Sequence, residues 1–83
     1  MRFIAEIDIM PLKALLDPQG EAVKNSALKS GYKGIGSVRI GKHIEIEIEA
    51  ADKEKAEKEI DKLCEKLLSN PIIESYNFKI NKI

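Results

Sequence analysis

The chain predicts an α+β domain of the ferredoxin-like kind: the order β-α-β-β-α-β, a four-stranded antiparallel sheet and two helices on one face. Three observations carry this prediction. Apolar and polar residues alternate at period two over residues 3–9 and 44–49, and again near the C-terminus. Between these runs lie two segments whose apolar residues recur at helical spacing. Each change of period is marked by Pro, Gly or an Asp suited to capping.

In the first strand Phe3, Ala5, Ile7 and Ile9 share one face, opposite Ile4, Glu6 and Asp8, and Met10-Pro11 ends it because proline cannot donate to a ladder. Asp17 and Pro18 suit the N-cap and first position of a helix. Ala22, Val23 and Ala27 give that helix a narrow apolar stripe, and Gly31 is placed to end it in the left-handed conformation. Val38 and Ile40 alternate with Ser37 and Arg39, which predicts a second strand. A hairpin at Gly41-Lys42, with positive φ at Gly41, then leads into Ile44, Ile46 and Ile48 alternating with Glu45, Glu47 and Glu49. Asp52 is the predicted cap of a second helix, buried through Ala56, Ile60, Leu63, Cys64, Leu67 and Leu68, with Glu54 and Lys58 paired on its polar side. Ser69-Asn70-Pro71 stops it. A last strand is predicted from Ile72 to Ile80, with Tyr76, Phe78 and Ile80 inward.

Residues 1–83 make one domain, and a chain this short has a small core. Disulfides cannot reinforce it, because Cys64 is the only cysteine, which also fits a reducing compartment. Association with other chains is the remaining route. The net charge is zero, with 14 basic and 14 acidic residues, which excludes the positive surplus that nucleic-acid binding rests on. No apolar run approaches a membrane span, and the N-terminus lacks a signal-peptide layout, so the expected location is the cytoplasm.

The search for chemistry comes back nearly empty. Cys64 sits on an apolar helical stripe, where burial makes a thiol inert. His43 is expected to face outward with the glutamates and without the companions of a metal site. Glu45, Glu47 and Glu49 follow one another about 7 Å apart, twice the strand rise, but no hydrophobic pocket is encoded to split their pKa values. Gly31, Gly34, Gly36 and Gly41 do not precede a helix as a phosphate loop requires. The expectation is a chain with no catalytic residue, no metal and no cofactor of its own.

Four segments stand out together: Leu16-Asp17-Pro18-Gln19-Gly20, Val38-Arg39-Ile40-Gly41-Lys42, Cys64-Glu65-Lys66-Leu67-Leu68 and Asn70-Pro71-Ile72-Ile73-Glu74-Ser75-Tyr76. In this order and spacing they resemble the PurS family, small subunits of phosphoribosylformylglycinamidine (FGAM) synthase, from about residue 3 to the end. The resemblance implies a non-catalytic subunit in purine biosynthesis. It would bridge a PurQ-type glutaminase and a PurL-type synthetase, so that ammonia from glutamine serves the conversion of FGAR to FGAM. The complex would use ATP and Mg; this chain would bind neither, and would form a homodimer or homotetramer. Asp17, Gln19, Gly20, Arg39 and Lys42, the polar and glycine positions of the two most distinctive segments, are the expected partner contacts. For Asp17 and Gly20, helix capping and tight packing stand as the alternative. The rival reading on the same fold is a regulatory module of the ACT type that binds a small metabolite.

Overall fold

The computed structural model describes residues 1–83. Strand β1 (Arg2–Pro11) is followed by helix α1 (Pro18–Lys29), strand β2 (Lys42–Glu49), helix α2 (Lys53–Leu63) with a π-helical turn at Cys64–Leu68, and strand β3 (Glu74–Lys82). The strands form one antiparallel sheet in the order β2-β1-β3. Ala5 faces Ile46 on one side and Ile80 on the other; Ile7 faces Ile44 and Phe78. This register puts Phe3, Ala5, Ile7 and Ile9 on one face with the isoleucines of β2 and with Tyr76, Phe78 and Ile80 of β3.

Helix α2 covers that face. Its N-cap is Asp52, whose Oδ1 accepts the Lys55 N–H at 2.8 Å. Ala56, Ile60 and Cys64, each four residues from the next, descend from it onto the sheet and join Phe3, Ala5, Ile7, Ile9 and Ile80 in a core of eight buried residues. Full burial of a side chain such as Ile60 contributes about 1.5–3 kcal/mol. The carbonyl of Cys64 takes both the N–H and the hydroxyl of Ser69, at 2.9 and 2.8 Å. That five-residue closure is the π turn, and it ends the helix. Asn70 then folds a tight turn, its Oδ1 accepting the Ile72 N–H at 3.1 Å. Residues Ile72 and Ile73 belong to this turn, so the last strand starts at Glu74, two residues later than predicted.

Two expectations about the sheet are corrected. Residues Val38–Ile40 form no strand, and the sheet has three strands, not four. Their backbone is engaged elsewhere: the Ile40 N–H donates to Asp17 Oδ2 at 2.8 Å, and the Arg39 guanidinium donates to the carbonyl of Pro11. The position beside β2 where a fourth strand would lie is open. Nor is there a hairpin at Gly41. Its φ is not positive; glycine is required because a methyl there would collide with the carbonyl oxygen of Ile9 and with Met10 Sδ. Gly31 does have positive φ, at 97°. It closes α1 as predicted: the Tyr32 N–H reaches the Ala27 carbonyl at 3.1 Å and the Gly31 N–H reaches Leu28 at 3.2 Å.

A further correction concerns the helix layer. Only α2 lies on the sheet. No side chain of α1 belongs to the core or to the half-buried residues packed around it. Instead, residues 12–41 leave the end of the sheet as an arm carrying α1. The molecule measures 51 × 27 × 14 Å with a radius of gyration of 16.4 Å. A compact chain of this length would have a radius of about 12 Å.

Candidate partner-binding surface

The two most distinctive sequence segments meet where the arm leaves the sheet. Asp17 is the hinge pin. One carboxylate oxygen caps α1 through the Gly20 N–H at 2.9 Å, and the other takes the Ile40 N–H at 2.8 Å. These bonds, the Gly20 one foremost, hold the Asp17 pKa below the ordinary carboxylate value. Gly20 is buried and lies directly against the carbonyl of Val38, leaving no room for a side chain. Arg39 completes the joint on Pro11.

The structure therefore divides the five candidate contacts. Asp17, Gly20 and Arg39 are tied into the joint by their own chain. Gln19 and Lys42 are exposed. With Asp17, these two line a cleft of about 250 Å³ that also includes Leu16 and Glu74. The Lys42 Nζ stands 3.8 Å from the mostly buried Glu74 carboxylate. Two apolar side chains flank this end of the molecule almost bare: Leu16 is 79% exposed and Ile72 is 80% exposed. Neither was among the expected contacts: Leu16 was noted only within its distinctive segment, and Ile72 was assigned to the last strand. The available signal was the Asn70-Pro71 pair, which forces a turn and turns Ile72 outward.

The outer sheet face is a charged mosaic. Register pairs Glu6 with Glu45 and Asp8 with His43. His43 Nδ1 lies 2.7 Å from Asp8 Oδ1, and that bond raises the imidazole pKa. Glu6, His43 and Glu45 each offer a ligand atom, all within 4.8 Å of one another, so His43 has the carboxylate companions that the sequence did not reveal. Farther along, Arg2 bridges Glu47 and Glu49 at 3.3 and 3.6 Å. The amino group of Met1, 2.9 Å from Glu49, lowers that carboxylate's pKa. Exposed pairs of this kind contribute little to stability individually. On the inner side, burial pushes the Cys64 thiol pKa up, with Asp61 adding to it. No helix is long and apolar enough to cross a membrane.

Known proteins share this sequence and this fold. The model of the family described as PurS, phosphoribosylformylglycinamidine (FGAM) synthase, matches residues 4–82. The phosphoribosylformylglycinamidine synthase subunit PurS of Synechocystis is 43% identical over 70 residues, covering 84% of this chain and 70% of that one. The corresponding subunit of Archaeoglobus fulgidus is 40% identical over 74 residues, covering 89% and 92%. Among solved structures, PurLQS from Thermotoga maritima contains a chain that superposes with a TM-score of 0.90 at 33% identity, covering 98% of this chain and 99% of that one. PurS from Methanocaldococcus jannaschii, one of the subunits of formylglycinamide ribonucleotide amidotransferase in the purine biosynthetic pathway, superposes at 0.86 with 32% identity and 98% coverage of both. A match that spans nearly the whole sequence, repeated at the level of the fold, places this chain in the PurS family, phosphoribosylformylglycinamidine (FGAM) synthase.

Proposed function

We propose that this chain is the joining subunit of an FGAM synthase and contributes adhesion, not chemistry. A PurQ-type glutaminase releases ammonia from glutamine; a PurL-type synthetase, using ATP and Mg, spends it in converting FGAR to FGAM. Free ammonia is mostly protonated near neutral pH, and the protonated form is not a nucleophile. Holding the two catalytic subunits in register shortens the transfer and shields it, which is proximity used as catalysis. The observation that carries this reading is the near-complete superposition on a chain of PurLQS. The family's members are named as subunits.

The partner surface we assign is the joint end, where Gln19 and Lys42 stand beside the bare Leu16 and Ile72. Asp17, Gly20 and Arg39 serve it by fixing its shape. The chain acts as a homodimer or homotetramer in the cytoplasm. The test is reconstitution with PurL- and PurQ-type subunits, reading FGAM formation with glutamine and with ammonia. Omitting this chain abolishes the glutamine-dependent rate and spares the rate at high ammonia. Gln19→Ala with Lys42→Ala weakens capture of the catalytic subunits. Unchanged assembly and unchanged rates in that double variant sink the assignment of the surface; full glutamine-dependent activity without the chain sinks the function.

A further inference from the structure

We propose that the outer sheet face carries a metal site, in which Glu6, His43 and Glu45 hold one divalent transition ion of the Zn²⁺ kind across β1 and β2. The site does not depend on the joining role. The register sets Glu6 directly opposite Glu45 and Asp8 directly opposite His43, all on the face turned away from α2. Glu6, His43 and Glu45 each bring one ligand atom to a group no wider than 4.8 Å. Two further features of this face point to a cation. The first is the support behind the imidazole: His43 Nδ1 lies 2.7 Å from Asp8 Oδ1. An ionised carboxylate accepts and does not donate, so Nδ1 carries the proton, and the lone pair of the neutral ring is on Nε2. A carboxylate placed behind a histidine in this way fixes its tautomer and orientation and raises its basicity as a metal ligand. The second feature is an imbalance of charge. Glu47 and Glu49 pair with Arg2, Glu49 also with the Met1 amino group, and Asp8 with His43. Glu6 and Glu45 have no basic group at ion-pair distance; Lys79, the neighbour of Glu6 on β3, does not reach it. Like charges directly opposite in a sheet are destabilising, and a divalent ion between them turns that repulsion into attraction.

The dimensions suit such an ion. Ligand atoms at about 2.1 Å from zinc and at the tetrahedral angle lie about 3.4 Å apart. The group therefore has to close by about 1.4 Å at most. Glu45 is exposed and Glu6 half-buried, so both carboxylates have room to turn while the strands fix their roots. One imidazole nitrogen with two carboxylate oxygens suits Zn²⁺, Co²⁺ or Ni²⁺. The hard ions Mg²⁺ and Ca²⁺ prefer oxygen alone, and Ca²⁺ takes six or more ligands. Three protein ligands leave a fourth position on the solvent side, which water fills. The work of the ion is mechanical. Strand β2 lies at the edge of the sheet and is held there by β1 alone. An ion bound by Glu6 on one strand and by His43 and Glu45 on the other clips the two together on the face that the core does not reach.

The experiment titrates the full chain, stripped of metal by a chelator and dialysed, with Zn²⁺ at slightly alkaline pH, by calorimetry and by proton NMR. His43 is the only histidine, so its ring resonances report binding in the wild-type chain with no variant needed. The expected result is one Zn²⁺ per chain with a Kd in the micromolar range, and displaced His43 ring resonances. His43→Gln, and separately Glu6→Gln with Glu45→Gln, weaken binding about a hundredfold; circular dichroism checks that both remain folded. Glu47→Gln with Glu49→Gln, on the same face but outside the group, binds as the wild type does. Ca²⁺ in the same titration leaves the ring resonances in place. Absence of binding below millimolar Zn²⁺, binding that leaves the His43 resonances unmoved, or binding that survives His43→Gln overturns the site. A Ca²⁺ response equal to that of Zn²⁺ overturns the class of ion.

Discussion

Gly20→Ala sets two physical effects against each other, and the structure says which one wins. Gly20 lies in the first turn of α1, and by helix propensity alone alanine should be better there by about 1 kcal/mol. The added methyl, however, would overlap the carbonyl oxygen of Val38 and stand 2.9 Å from Asp17 Oδ2. The obstacle is backbone, held by the Ile40 bond to Asp17, so it cannot swing aside as a long side chain would. Forcing a methyl into such a site costs about 3 kcal/mol at the upper end of the overpacking range. The net is about 2 kcal/mol against the joint, or close to thirtyfold in its opening equilibrium. The eight core residues all lie outside the arm, so the loss should be local. Amide hydrogen exchange read residue by residue is the assay. Protection of the Ile40 amide is expected to fall about thirtyfold, while the amides of Ala5 and Ile7 keep theirs. If Ile40 exchanges no faster, or if α1 becomes more protected, the close approach of Gly20 to Val38 does not govern the joint and the reasoning fails.

Three further outcomes follow from the core and the ionisable pairs. Ile60→Ala leaves a cavity between α2 and β1 and should cost about 2–5 kcal/mol globally, measured by denaturant unfolding at fixed chain concentration; a loss below 1 kcal/mol contradicts the packing. His43 has its pKa raised above the ordinary 6.5 by the Asp8 bond. Its contribution is complete below the unfolded pKa and vanishes as pH rises through the folded one, so Asp8→Asn should lower the pKa read from the imidazole resonance and weaken the pH dependence of stability in that window. The Tyr76 hydroxyl donates to Asp61 Oδ1 at 2.6 Å, which pushes its pKa up to about 12. Ultraviolet titration should find one tyrosine ionising that late, and Asp61→Asn should bring it down.

Much of this architecture was legible residue by residue. Period two over Phe3–Ile9 and Ile44–Glu49 found β1 and β2, and the two caps, Asp17 and Asp52, accept the bonds their positions implied. Cys64 is buried where its stripe placed it, and Lys58 meets Glu54 at 3.7 Å. What failed did so for want of tertiary information. Val38 and Ile40 show the strand period over too few residues to outweigh one long-range bond, Ile40 to Asp17 across 23 positions. The apolar stripe of α1 says that the helix has a face to cover; it does not say that the helix stands clear of its own sheet. Gly41 was read as a turn glycine when the true constraint, the Ile9 carbonyl, belongs to another strand. The grouping of Glu6 with His43 and Glu45 exists only once the register of β1 on β2 is known.

The placement of Asp17, Gly20 and Arg39 bears on how such a subunit works. Rare residue combinations invite a chemical interpretation, a cradle or a contact. Here Asp17, Gly20 and Arg39 act on backbone groups of their own chain: an N–H at either end of Asp17, a carbonyl under Gly20, another under Arg39. None of these interactions could be replaced by a side chain of similar polarity, because each depends on shape at contact distance. Asp17 must reach two donors at once; Gly20 must be bare; Arg39 must span from one limb of the arm to the other. A subunit whose role is to hold others in register has to control an angle, and angles are set at joints. Residues that bond within their own chain can then be as indispensable to assembly as those at the interface, since a shift in the arm displaces Gln19, Lys42, Leu16 and α1 together.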